Sequence, residues 1–207
     1  MKNYFTLVDL ETTGLFPNKY DKITEISLKK VNIGGDVIEK YTTLVNPERD
    51  LGPTSIHKIS NLDISNAPKF EEIYPYILWF IDETCLIGHN VDFDVKFLNH
   101  QLSQVGSKTE IKKENTLCTL KFATSVNIPR KLEGIQQLIR GNVESLHSAD
   151  NDTEVIKEMF EHFKLSDWIT NQDFQILIVD DVKNSNKIEV QRGEGINSLD
   201  GFLEQLF

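Results

Sequence analysis

The 207-residue sequence contains only two cysteines, and no apolar run approaches the ~20 residues that a membrane-crossing helix requires. Cys85 and Cys118 fit no metal-binding spacing. They read as buried thiols in a reducing compartment, which argues against a disulfide scaffold. The N-terminus has one lysine and runs directly into patterned strand, unlike a cleaved signal. A soluble cytoplasmic protein with no membrane partner is the expectation. Positive charge is also scarce, with 22 Lys and Arg against 32 Asp and Glu, for a formal net charge of -10. That balance argues against a broad basic surface able to hold duplex DNA nonspecifically. It does not exclude a short nucleic-acid end held in a small pocket, which needs few phosphate contacts.

What is present is enough for one domain with a full core, since 39% of the residues are hydrophobic. Tyr4 to Gly14, YFTLVDLETTG, reads as a buried strand that ends in two acids and then breaks. Strands are expected at Ile23–Asn32 and Val37–Val45, joined by a Gly34-Gly35 turn. Phe70–Ile81 is spaced as a helix, and Thr84–Gly88 as a short strand. Helices are expected from about Asp92 to Val105, over Leu132–Ile139, and over His147–Phe163. Asn115–Val126 should hold a short strand entry and a helix. Strands followed by helices alternating with short strands describe an α/β domain with a mixed sheet. From Leu165 the character changes. Phe174–Val179 (FQILIV) reads as a strand, Ile188–Gln191 as its return, and Ser198–Phe207 as a terminal helix. Residues 1–165 are therefore expected to form the main domain and 166–207 a hairpin-plus-helix appendage.

Several acids stand where a core would normally refuse them. Alternation along the first strand puts Phe5, Leu7, Asp9 and Glu11 on one face, with the two acids roughly 7 Å apart. A core accepts such a pair when a cation or a proton neutralises it. The bland alternative is a solvated strand end. In the following helix, Leu98, Leu102 and Val105 form the apolar stripe, so Asp94 faces inward while Asp92 reads as a cap. In the last long helix, Asp152 lies one turn before Ile156 and points to the core, with Asp150 and Glu154 stacked toward the outer side. His147 precedes Asp152 by five residues, about 140° round a helix. If both serve one site, His147 belongs to the loop before the helix, with Ser148 as its N-cap.

Three segments in order, VDLETTG, HNVDFD and His147-Ser148-Ala149-Asp150-Asn151-Asp152 as H-x-A-x-x-D, resemble the motifs of the DEDDh (DnaQ-like) 3′–5′ exonucleases. This group includes the proofreading epsilon subunit of DNA polymerase III, RNase T and oligoribonuclease. Between the motifs, Asn46-Pro47, Ile56-His57, Ala67-Pro68 and Thr116–Leu120 also look like the family, although Lys58 stands where many relatives have glycine. The resemblance covers about residues 1–165. It implies a ribonuclease-H-like fold with a central five-stranded mixed sheet flanked by helices. It also implies that Asp9, Glu11, Asp94 and Asp152 hold two Mg²⁺ or Mn²⁺ ions, with Asp9 bridging and His147 as general base. Thr12, Thr13, Gly14, Leu15, Phe16, His57 and Asn90 would contact the terminal nucleotide, with Leu15 as the wedge and Phe16 the second choice.

The activity so implied is stepwise release of nucleoside 5′-monophosphates from single-stranded 3′ ends, with DNA favoured, as in proofreading or repair. RNA trimming, or an oligoribonuclease activity, is the alternative, because discrimination rests on how closely a pocket packs around a 2′-OH. A noncatalytic module that binds nucleic acid or a polymerase is the reading from another class. A DNA polymerase or a sliding clamp is a candidate partner. The terminal LEQLF could dock on such a clamp, or Leu203, Leu206 and Phe207 could instead pack the last helix onto the domain.

Overall fold

A computed structural model describes residues 4–51, 59, 61–143 and 148–179. His57, His147 and the expected hairpin return and terminal helix beyond residue 180 lie outside the described residues. Among the described residues there are five strands: β1 (Tyr4–Thr12), β2 (Ile23–Val31), β3 (Val37–Leu44), β4 (Thr84–Gly88) and β5 (Thr116–Cys118). The helices are α1 (Asn61–Ser65), α2 (Phe70–Ile81), α3 (Asp92–Gln104), α4 (Thr119–Ser125), α5 (Leu132–Arg140), α6 (Ala149–Phe163) and α7 (Leu165–Ile169).

The strands form one sheet in the order β3-β2-β1-β4-β5. β1 pairs antiparallel with β2 and parallel with β4, so it is central and the sheet is mixed. Alternation along β1 sorts its side chains between two packed layers. Val8 and Leu10 join Ile73, Ile77 and Phe80 of α2 and Phe97, Leu98 and Leu102 of α3. Phe5 and Leu7 join Ile135 of α5 and Ile156, Met159 and Phe160 of α6 on the other face. Helix α2 keeps Pro75 in its interior, and its start is fixed by the Glu72 carboxylate accepting the Lys69 N–H at 2.6 Å.

The segment after α7 departs from expectation. Residues 173–179 form no assigned strand. Their backbone instead bonds to loops and to the start of β4: Gln175 N–H donates to the Glu114 carbonyl, Leu177 N–H to the Thr84 carbonyl, and Glu83 N–H to the Leu177 carbonyl. Val179 N–H donates to Asp82 at 2.9 Å. The apolar pattern that suggested a strand is used all the same. Leu177 and Val179 are buried in the α2–α3 layer, and Phe174 lies 5.5 Å from Phe5, ring centroid to centroid. The packed core therefore extends past residue 165, where composition suggested that an appendage begins.

Candidate active site

β4 accompanies β1 only from Tyr4 to Leu7, so the C-terminal half of β1 runs on past it. Asp9 and Glu11 sit on that overhang, on the α6 side of the sheet. Carboxylate oxygens of Asp9, Glu11 and Asp152 all lie within 4.8 Å of one another. Asp152 comes from the first turn of α6 and Asp94 from the first turn of α3. Asp94 is only 3% exposed, and the backbone N–H groups of Leu10 and of Asp94 itself act to lower its carboxyl pKa against the effect of burial. Helix phase separates the two acids of α3 as expected, but Asp92 is not the cap: Val91 holds that position, and Asp92 is an exposed first helical residue.

The electrostatics of this cluster are unfavourable without a counter-charge. Burial, then the charges of Asp94, Asp152, Glu11 and Glu25, hold the Asp9 proton well above the ordinary carboxylate range. Burial raises Asp94 in the same way, with Glu11 and Asp152 adding to it. Burial, then Asp152 and Glu25, push Glu11 up to about 7. Such groups cannot all ionise together unless a cation sits among them. An all-oxygen carboxylate set suits a hard divalent ion such as Mg²⁺ or Mn²⁺, so the residues fit a divalent metal.

Beside the cluster, the turn after β1 projects two apolar side chains into solvent, Leu15 at 68% and Phe16 at 52% exposure. Gly14 leaves room for the Asp21 carboxylate, which a Cβ at this position would strike. Asp21 holds this turn by accepting the Phe16 N–H at 3.0 Å, the Thr13 hydroxyl at 3.4 Å, and Arg49 at 3.2 Å. Thr12 closes the turn with a hydroxyl bond to the Gly14 carbonyl at 2.6 Å. Asn90 is exposed in the left-handed region, φ 68°, between β4 and α3. His89 behind it touches the Thr119 hydroxyl at 3.0 Å and the Arg130 carbonyl at 2.7 Å, tying its own loop to the start of α4 and to the loop before α5.

Ser148 occupies the N-cap position of α6 as the sequence reading has it, although its side chain makes no capping bond. Glu25 of β2 accepts the Ala149 N–H at 3.1 Å. Asp150 and Glu154 turn toward β2, where both pair with Lys29. Sequence reasoning missed Asp21, Glu25 and Lys29. Only the register that places Glu25 opposite Glu11 could have pointed to Glu25.

A five-stranded mixed sheet flanked by helices, with half-buried acids at the end of its central strand, is a ribonuclease-H-like fold. The same fold is seen in E. coli exonuclease I in complex with a dT13 oligonucleotide, at a TM-score of 0.70 and 16% identity, covering 82% of this chain and 44% of that one. The family described as Exonuclease, RNase T, matches residues 6–160. The DNA polymerase III subunit epsilon of Rickettsia typhi is 34% identical over 168 residues, which is 74% of this chain and 71% of that protein. The 3′-5′ exonuclease DinG of Bacillus subtilis is 27% identical over 165 residues, 77% of this chain but 17% of that protein. The chain belongs to the RNase T exonuclease family and is a DnaQ-like 3′–5′ exonuclease. That sets aside the reading as a noncatalytic binding module. Among the described residues, no helix is long and apolar enough to cross a membrane.

Proposed function

We propose that this exonuclease removes nucleoside 5′-monophosphates one at a time from single-stranded DNA 3′ ends, with Asp9, Glu11, Asp94 and Asp152 holding two Mg²⁺ or Mn²⁺ ions. The observation that carries this reading is the convergence of Asp9, Glu11 and Asp152 within 4.8 Å, with buried Asp94 acting on the same group. When bound, the ions supply Lewis acidity for water activation and charge neutralisation at the leaving 3′ oxygen.

The remaining work falls to the chain's own groups. His147 accepts the proton of the attacking water, a task suited to an imidazole with an intrinsic pKa near 6.5. It is assigned by its place in H-x-A-x-x-D before α6. The water oxygen bonds to phosphorus as the P–O3′ bond breaks, leaving a 5′-phosphate on the released nucleotide. Thr12, Thr13 and Gly14 line the approach, Leu15 and Phe16 offer apolar surface to the last bases, and Asn90 and His57 contact the terminal nucleotide. DNA is favoured because the relatives are subunits of a DNA polymerase and a structural neighbour holds a dT oligonucleotide. The same relatives support a DNA polymerase as partner.

The test uses 5′-labelled single-stranded DNA and RNA of equal sequence, incubated with Mg²⁺, Mn²⁺ or EDTA. Shortening of DNA by single-nucleotide steps with Mg²⁺ or Mn²⁺ and none with EDTA is the expected result. Faster RNA shortening would reverse the substrate assignment. Unchanged activity of Asp9→Ala would remove the metal site from this position.

A further inference from the structure

We propose that Lys29 is a positioning residue that sets the rotation of α6 about its own axis and so keeps Asp152 in reach of Asp9 and Glu11. This rests on the reading of Asp152 as a metal ligand given above. Lys29 sits on the face of β2 that packs against α6 and is only 3% exposed. Its ammonium donates to the Asp150 carbonyl at 2.9 Å and to the Glu154 carboxylate at 2.8 Å, and it forms an ion pair with the Asp150 carboxylate at 3.1 Å, all on one helix. Two residues along the same face, the Ser27 hydroxyl lies 2.9 Å from the Thr153 hydroxyl. Two residues further, Glu25 accepts the Ala149 N–H at 3.1 Å. Alternate β2 residues thus grip successive positions of the first turns of α6.

The geometry gives this grip a direction. Asp150 and Glu154 each lie two residues from Asp152, about 160° round the helix at 3.6 residues per turn. Lys29 draws that side toward β2, and Asp152 is presented toward β1. Acids at positions 150, 152 and 154 would otherwise offer several carboxylates to the same cluster. Pairing with Lys29 withholds two of them. A buried ion pair is weak evidence for a purely stabilising role, since apolar replacement is often neutral. Asp150 and Glu154 are partly exposed, so water can solvate them if Lys29 is lost.

Mn²⁺ titration of the full chain tests this, read by electron paramagnetic resonance of free Mn²⁺ and by the thermal midpoint, alongside kcat and KM on a single-stranded oligonucleotide. Lys29→Met is expected to weaken Mn²⁺ binding about tenfold and to lower kcat with little change in KM, while the metal-free midpoint stays within a few degrees. The milder Ser27→Ala/Thr153→Val variant should weaken Mn²⁺ binding about two- to threefold in the same assays. Mn²⁺ affinity and kcat equal to wild type in Lys29→Met, with affinity lost in Asp152→Asn, would overturn the positioning role and leave the metal site standing. Wild-type affinity in Asp152→Asn would instead remove Asp152 from the site, and the positioning role with it. If Lys29→Met does not fold, unchanged Mn²⁺ affinity in Ser27→Ala/Thr153→Val overturns the proposal.

Discussion

Glu11 is pushed from an ordinary 4.5 to about 7 by burial and then by Asp152 and Glu25, and Asp9 and Asp94 are raised as well. The folded chain therefore holds these protons more tightly than the unfolded chain does. The stabilising contribution of Glu11 is complete below the unfolded carboxylate pKa and is lost as pH rises through about 7, and those of Asp9 and Asp94 are lost in the same direction. In EDTA, thermal midpoints should fall steadily from pH 5 to pH 8, and added Mn²⁺ should raise the midpoint more at pH 8 than at pH 5. Asp9→Asn removes the charge at the centre of the conflict. Its metal-free midpoint at pH 8 should exceed that of wild type by a few degrees, about 2–4 °C per kcal/mol for a chain of this size. Its hydrolysis should drop about 10³-fold or more, since the metal contribution is worth several kcal/mol. A variant both less stable and fully active would contradict the cluster as described. Phe16, by contrast, is exposed and packs little core. Phe16→Ala should raise KM about three- to tenfold, in line with the loss of one base-stacking contact, and leave the midpoint unchanged.

At the scale of elements, the turn after β1 and the first turn of α6 are both set by contacts from elsewhere in the fold. Gly14→Ala places a methyl group against the Asp21 carboxylate, and Asp21→Ala removes the acceptor for the Phe16 N–H. Each alone should destabilise the chain by about 1–2 kcal/mol. In the double variant the clash has gone, so the two effects should couple by at least about 0.5 kcal/mol, measured by urea unfolding. Strict additivity would mean that Gly14 is there for another reason. These are also the elements that the sequence disclosed least. Period and length gave α2, α3 and α6 to within a residue or two, and helix phase put Asp94 inward. The Asp-x-Glu strand end, read with the later acids, pointed to the cluster because carboxylates on buried faces are rare. Asp21, Glu25 and Lys29 carry no such local signature. Each is an ordinary charged residue in a strand or turn until its distant partner is known, and Ala149 is 124 residues from Glu25. Ser148 stands at the N-cap as its residue type suggested, without a side-chain capping bond, and the contact from Glu25 to the Ala149 N–H was not legible.

At the scale of the whole molecule, the last described segment behaves as core. Phe174, Leu177 and Val179 pack on both faces of the sheet. Each such side chain contributes roughly 1.5–3 kcal/mol on burial, against a total stability of about 5–15 kcal/mol for a domain. A chain ending at residue 172 should therefore melt at least about 10 °C lower than one ending at 179, or aggregate. Equal midpoints, read by circular dichroism, would show that the segment is dispensable. The pattern of FQILIV announced burial correctly but not the partner, because loops and the start of β4 supply its hydrogen bonds instead of a second strand.

The overhang of β1 beyond β4 has a consequence in time. Asp9 leaves the ribosome 143 residues ahead of Asp152. At about 5–20 residues per second, the nascent protein carries Asp9 and Glu11 for on the order of ten seconds before the helix that completes their cluster exists. β1, β2 and β3 can meet early through short connections, but they then hold only two of the three clustered carboxylates. A chain whose synthesis stops before α6 would carry that strand end without the residue that closes it, and with it none of the nuclease activity.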